Sequence, residues 1–363
     1  MFKKAISIIT ATNNGTIEDM CRSILSQATP AGIIKIAFFY RPCNDSEYIQ
    51  HNIALRKVVC EYFPQNTPLV SYIAQETASA QLTAEIIYLA DDAATVEHHT
   101  RYTLLKKDSC TELITEGITP SDINKSTFEQ SKEIFGIIGD ILQTNGFVPS
   151  DIYRQWNYIQ GITVLNDGSQ NYQEFNDARS IFYSSCKWNN GYPAATGIGT
   201  SAGGVMVELC AIKGERGANA AIDNPLQTAA HNYSQKVLDG KVIEELNERT
   251  TPKFERARIL GRDIFISGTA AIRGEESNSS NDTVEQTAET MRIMDRLTSQ
   301  ENIPVPNNGS RYIMLRIYVK NREKIQAVKD FMEAHYPAVP NQILVADICR
   351  PELLVEIEGI GHI

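Results

Sequence analysis

The sequence predicts an α+β fold built twice, and three observations carry that prediction. The segments IIKIAFFYRPCNDSEYIQHNIALRKVVCEYFP, from Ile33, and RYIMLRIYVKNREKIQAVKDFMEAHYP, from Arg311, share one layout: an alternating strand, polar residues, then an amphipathic helix. In both, two short strands joined by a turn follow the helix. The closing strands TAEIIYL and LLVEIEGI also agree, with Glu85 lying where Glu356 lies. A β-α-β-β unit used twice implies two related domains, expected over residues 1–147 and 148–363.

Taken in order, the run AISIITA (Ala5 to Ala11) alternates and contains Ser7 and Thr10, so it reads as a first strand ahead of a signal segment. Between the two copies, Ile134, Ile137, Ile138, Ile141 and Leu142 recur at helical spacing up to Asn145-Gly146, a C-cap pair. The domain boundary is expected there. The second domain opens with DIYRQWNYIQGI and continues into a helix through NYQEFNDARSIFYSS. A Gly-rich turn, YPAATGIGTSAGG, leads into the strand VMVELCAIKG; the strand DIFISGTAAIRG, an exposed loop, EESNSSND, and the helix DTVEQTAETMRIMDRL follow.

Composition excludes more than it assigns. With 42% hydrophobic and 21% charged residues over 363, the chain can bury a sizeable core. A net charge of -10 without a dense Lys/Arg cluster argues against a nucleic-acid surface, and an anionic substrate would need a pocket with its own arginines. No apolar stretch approaches the roughly 20 residues of a membrane span. The seven cysteines are scattered and never spaced as CxxC, which favours reduced thiols in a cytoplasm.

Familiar catalytic signatures are absent. The Gly-rich turn lacks GxGxxG after a strand and lacks GK[ST], so it is expected to be a tight turn delivering Thr196 and Thr200 beside a pocket. The six histidines show no metal spacing and no GxSxG is present. What stands out is the last strand, where a period of two puts Glu356 and Glu358 on one side and Val355, Ile357 and Gly359 on the other. Two carboxylates there face water unless something demands their burial.

The demand comes from RQWNYI, FNDAR, GYPAATGIGT, NPLQTAAHNYS, TPKFERARIL, FISGTAAIRGEES and VADICRPELLVEIEG, which in this order resemble the chorismatase family, enzymes that remove pyruvate from chorismate. The resemblance covers residues 150–363 and is architectural over 1–145. It implies the RidA/YjgF-like (chorismate-mutase-like) fold, each domain a mainly antiparallel or mixed sheet with helices on one face. RidA imine deaminases are similar at YPA and VEIE but carry an arginine directly after YPA, where this chain has Val339. An imine or enamine deaminase and a small-carboxylate-binding module are the alternatives.

By the same resemblance, Glu356 matches the family's catalytic glutamate. Arg179 and Tyr233 resemble positions that line the substrate, and Cys349 and Ala270 (or Ala271) resemble positions that decide the product. Cys349 leans toward 3-hydroxybenzoate and the alanine toward the dihydrodiol acid. Arg316, alternating with Met314 and Tyr318, is a candidate for gripping a substrate carboxylate. No cofactor or metal is expected. A RidA-like chain is compatible with a homotrimer or with a pseudo-symmetric monomer.

Overall fold

A computed structural model describes residues 2–107, 109–215, 217–243, 246–278 and 280–363; Ser279, in the loop expected at EESNSSND, lies outside them. A first unit runs β1 (Lys4–Thr10), α1 (Ile17–Gln27), β2 (Ile33–Phe39), α2 (Asp45–Tyr62), β3 (Leu69–Ile73), β4 (Glu76–Thr77) and β5 (Thr83–Leu89). A hairpin of β6 (Thr95–His98) and β7 (Tyr102–Lys107) follows. Next come β8 (Cys110–Thr115), α3 (Thr127–Thr144), β9 (Ile152–Gln160), the short β10 (Leu165–Asn166) and β11 (Ser169–Gln170), α4 (Asn171–Tyr183), β12 (Ala194–Thr200) and β13 (Val205–Gly214). After β14 (Asn219–Ile222) and β15 (Ala257–Leu260), the last unit runs β16 (Asp263–Ala270), the short β17 (Ile272–Arg273) and β18 (Glu276–Ser277), α5 (Thr283–Leu297), β19 (Arg311–Val319), α6 (Ile325–His335), β20 (Asn341–Val345) and β21 (Val355–His362).

The expected α+β class is the one adopted, and a third copy of the repeated unit lies between the two read from the sequence. The strand orders are β1-β5-β2-β3, β8-β13-β9-β12 and β16-β21-β19-β20, one pattern written three times. In each, the last pair is parallel (β2 with β3, β9 with β12, β19 with β20) and the other neighbours are antiparallel. The expected division near residue 147 falls between α3 and β9, and strands from both sides of it pair, Cys210 of β13 opposite Ile114 of β8.

Capping residues start the helices where the sequence changes period. Thr16 and Ser126 each close a capping box, with Asp19 and Glu129, and Asp282 accepts from Val284 and Glu285 at the head of α5. Gly146 ends α3 at φ 67°, as its sequence suggested. Each pair of helices covers one face of its sheet: Ile24 and Val59 lie over β2, Phe135 and Phe175 over β9 and β13, Met294 and Val328 over β19. The opposite faces meet in a shared core that joins Phe39, Tyr158, Met206, Tyr318 and Leu344 from all three sheets.

Backbone contacts close this arrangement in a cycle. Ser201, after β12, donates to Ala74 after β3; β4, after β3, pairs with β20; and Ile348, after β20, bridges Ile198 of β12. The ladders also align the units residue by residue. Glu85 stands opposite Ala37, Glu208 opposite Trp156, and Glu358 opposite Arg316, so the three glutamates are counterparts. Glu85 therefore corresponds to Glu358, two residues from the match suggested by the sequence layout. The counterparts of Glu356, opposite Tyr318, are Thr83 and Met206. Among the described residues no helix is long and apolar enough to cross a membrane.

Candidate active site

The stretch read as a Gly-rich turn, YPAATGIGTSAGG, contains the strand β12; within it only Gly203 and Gly204, beyond the strand, take the positive φ of a turn, at 94° and 66°. The glycines of β12 make room for neighbours instead. A Cβ on Gly197 would come within 2.7 Å of the Tyr172 ring, and one on Gly199 within 2.8 Å of the Asp347 carbonyl oxygen. Tyr172 can therefore approach β12 closely and line a cavity of about 510 Å³ between the middle and last units. That volume suits a small organic ligand.

A bulge in β16 shapes the other wall. Ile266 pairs with Gly359 and Thr269 with Ile357, so Ser267 and Gly268 together oppose Glu358. Ser267 Oγ accepts from Ala195 N at 2.9 Å and donates to the Glu255 carbonyl, while Gly268 N donates to Thr196 Oγ1 at 3.1 Å. A side chain on Gly268 would collide with Glu356 Oε1, so glycine is what lets the carboxyl lie there.

The two glutamates of β21 have opposite environments. Glu358 accepts from Arg154, from Thr196 Oγ1, from Arg316 Nη1 at 2.9 Å, from Trp156 Nε1 at 3.0 Å and from Tyr318 OH at 3.0 Å. Burial alone would raise its pKa, but the two guanidiniums and these donors hold it below the ordinary value. Glu356 is 4% exposed and accepts no hydrogen bond among the described residues. Burial first, and the Glu358 charge second, push its pKa up to about 8 against the pull of Arg154 and Arg256. At neutral pH Glu356 is a carboxylic acid opening onto the cavity, beside a permanent carboxylate.

Cationic groups flank it. Arg256 is buried and donates to the Thr228 carbonyl and to Tyr233 OH at 2.7 Å; its Nε has no partner and no carboxylate pairs with it among the described residues. Arg350 donates to the Glu275 carbonyl and to Ser277 Oγ. Both guanidiniums lie over the Tyr233 ring, at 5.5 and 5.4 Å. Lys236, Asp239, Glu276 and Glu352 are exposed at the mouth.

The residues singled out from the sequence fall into two sets. Glu356, Cys349, Tyr233 and Ala270 line the cavity together, Ala270 directly opposite Glu356 in the ladder. Burial, then the nearby Glu356, push the Cys349 thiol up to about 12, so it stays protonated. The other three do not line it. Arg316 grips Glu85 with two bonds of 2.8 Å, Glu358 with a third and Tyr158 OH with a fourth at 3.2 Å, away from the cavity lining. Arg179 is buried behind Asn176, to which it donates at 2.5 Å, with its Nε unpartnered among the described residues. Thr200 sits at the far end of β12, half-buried, opposite Gln160. Thr196, named with it, instead anchors Glu358.

Sequence reasoning passed over Arg256, Arg350 and Tyr172. The first stands in TPKFERARIL, where a charge entering an otherwise buried strand was the available signal.

Residues 88–211 match the family model described as "Chorismatase FkbO/Hyg5-like, N-terminal". A 3-hydroxybenzoate synthase from Streptomyces hygroscopicus is 28% identical over 248 residues, covering 64% of this chain and 69% of that protein. A chorismatase from Streptomyces rapamycinicus is 31% identical over 243 residues, covering 61% of this chain and 67% of that protein. A crystal structure of a chorismatase superposes with a TM-score of 0.73 at 20% identity, covering 99% of this chain and 98% of that one, a likeness of fold.

Proposed function

The chain belongs to the chorismatase family and is an enzyme, and on that premise we propose that it releases pyruvate from chorismate, with Glu356 as the proton donor. The observation that supports this reading is a buried, protonated carboxyl with no hydrogen bond among the described residues, open to a cavity lined by an arginine that no carboxylate there neutralises. Chorismate is a dianion carrying an enol ether, and its breakdown begins with a proton delivered to the enolpyruvyl group. A carboxylic acid with a pKa near the working pH suits that step. Once Glu356 has given its proton, its new carboxylate faces the cation formed on the substrate in a site of low polarity.

Arg256 and Arg350 hold the two carboxylates, stacked over Tyr233, and Arg179 adds positive field from behind Asn176. Arg316, bound to two glutamates, serves the scaffold. After protonation, water attack gives the dihydrodiol acid, whereas loss of pyruvate with rearrangement gives 3-hydroxybenzoate. That second pair of products contains the atoms of chorismate with none added. By the resemblance, Cys349, which lies beside Glu356, leans toward 3-hydroxybenzoate and Ala270, directly opposite Glu356, toward the dihydrodiol acid; the product we propose is 3-hydroxybenzoate. A chain that already contains three units in a closed cycle acts as a pseudo-symmetric monomer, and its seven cysteines, outside any disulfide, suit a cytoplasm. Incubation of the purified protein with chorismate, with pyruvate followed by lactate dehydrogenase and the ring product by chromatography, tests the reading. Pyruvate with 3-hydroxybenzoate supports it in full; pyruvate with the dihydrodiol acid overturns the product assignment, and no pyruvate overturns the activity.

A further inference from the structure

The three counterpart glutamates do not do the same thing. Each is buried on the inner face of its sheet and each is paired with a cation from another unit: Glu85 with Arg316, Glu208 with Lys35 at 3.0 Å, and Glu358 with Arg154. The Glu208–Lys35 pair stands apart. The other two are joined in one hub, because Arg316 bridges Glu85 of the first unit and Glu358 of the last, and Glu358 collects Thr196 and Trp156 from the middle unit as well. Of the three, only Glu358 has a second carboxyl two residues away on the same strand face, and that carboxyl is Glu356.

We propose that Glu358 is a positioning residue whose fixed charge keeps the proton on Glu356, and that the first unit takes part through Glu85, which balances Arg316. The proposal deepens the reading of Glu356 as proton donor and rests on it. Strand geometry places the two side chains roughly 6–7 Å apart, close enough in a dry interior for one charge to oppose another. The groups facing Glu356 are Arg154 from β9, Arg256 from the segment before β15, Tyr172 from α4, Cys349 from the segment after β20, and Glu358 on its own strand. Those facing Glu358 are Arg154 and Tyr158 from β9, and Arg316 and Tyr318 from β19. Arg154 and Arg316 together carry two positive charges toward one carboxylate, and Glu85 offsets the surplus. Without Glu85 that surplus would reach Glu356 and favour its anion.

The test is the alkaline limb of kcat/KM for pyruvate release in Glu358→Gln and Glu85→Gln, with Glu208→Gln as control. Neither Glu358 nor Glu85 lines the cavity, so a scaffold role alone would lower stability without moving the limb. The proposal expects the limb to move to lower pH by about one unit or more in Glu358→Gln, by a few tenths in Glu85→Gln, and not in Glu208→Gln. An unmoved limb in folded Glu358→Gln overturns it. Should that variant fail to fold, folded Glu85→Gln decides alone, and an unmoved limb there overturns it. Should the wild type release no pyruvate, the functional reading falls by itself. The infrared band of the protonated carboxyl, identified by its loss in Glu356→Gln, still titrates in the other variants, and its midpoint separates the same two outcomes for Glu358 without turnover.

Discussion

Glu356 and Glu358 differ by two residues and by the partners that their surroundings supply. The sequence placed both on one strand face; both are buried on the inner side of the sheet, and the guanidiniums and hydroxyls around Glu358 are what separate its anion from the acid at Glu356. A carboxyl whose pKa rises from 4.5 to about 8 on folding has a thermodynamic signature. Its contribution to stability is fully present below pH 4.5 and is lost as pH rises through 8, for a total on the order of 5 kcal/mol. Glu356→Gln, which carries no such charge, should therefore gain stability over the wild type across that window; chemical denaturation at pH 5 and pH 8.5 checks it, and an equal difference at both would count against the assigned pKa. Arg256→Gln should raise KM for chorismate about a hundredfold with a smaller change in kcat, as expected for a lost charge-assisted contact. An unchanged KM would remove Arg256 from the substrate. Arg316 shows the limit of reading from residue types. Its alternation with Met314 and Tyr318 located its face, but only the third dimension brings Glu85 to it, from a strand far away in the sequence, and sets Glu358 opposite it.

The elements that matter most at the site are those with irregular backbone. The bulge in β16 makes Gly268 the residue behind Glu356, and a methyl there would meet the carboxyl oxygen on one side and Thr196 Cγ2 at 3.1 Å on the other. Gly268→Ala should keep the fold and lower kcat by about one to two orders of magnitude, because small displacements of a catalytic group are costly. Wild-type kcat in that variant would show that the bulge does not position the acid. Most elements were legible from periodicity: α3 with its C-cap at Asn145 and the strand Val205–Gly214 lie where the pattern put them. β12 was not, because small residues and two glycines in AATGIGT give no alternation of polar and apolar side chains. The strand exists because of what packs on it, Tyr172 and the Asp347 backbone, and neither is visible in the local sequence.

At the scale of the whole molecule, the middle unit escaped notice for a related reason. β9, IYRQWNYIQ, carries Arg154, Gln155 and Asn157, all buried and all hydrogen-bonded, so its polarity hides a core strand. Three copies in one chain also explain why one cavity is built for chemistry. The counterparts of Glu356 are an uncharged Thr83 and an apolar Met206, the latter packed into the shared core against Tyr48. Because the three sheets close one core and exchange strands and ion pairs in a cycle, the chain should unfold in a single calorimetric transition. A separate early transition for the first unit would mean that its links through Arg316 and β4 are weak. Proton delivery by Glu356 is probed most directly by comparing wild type and Glu356→Gln at neutral pH, with chorismate binding followed by equilibrium dialysis and pyruvate by the coupled assay. If Glu356 is the acid, the variant binds chorismate as the wild type does and loses pyruvate release by at least about a thousandfold; a variant that binds chorismate and still turns it over would contradict that role.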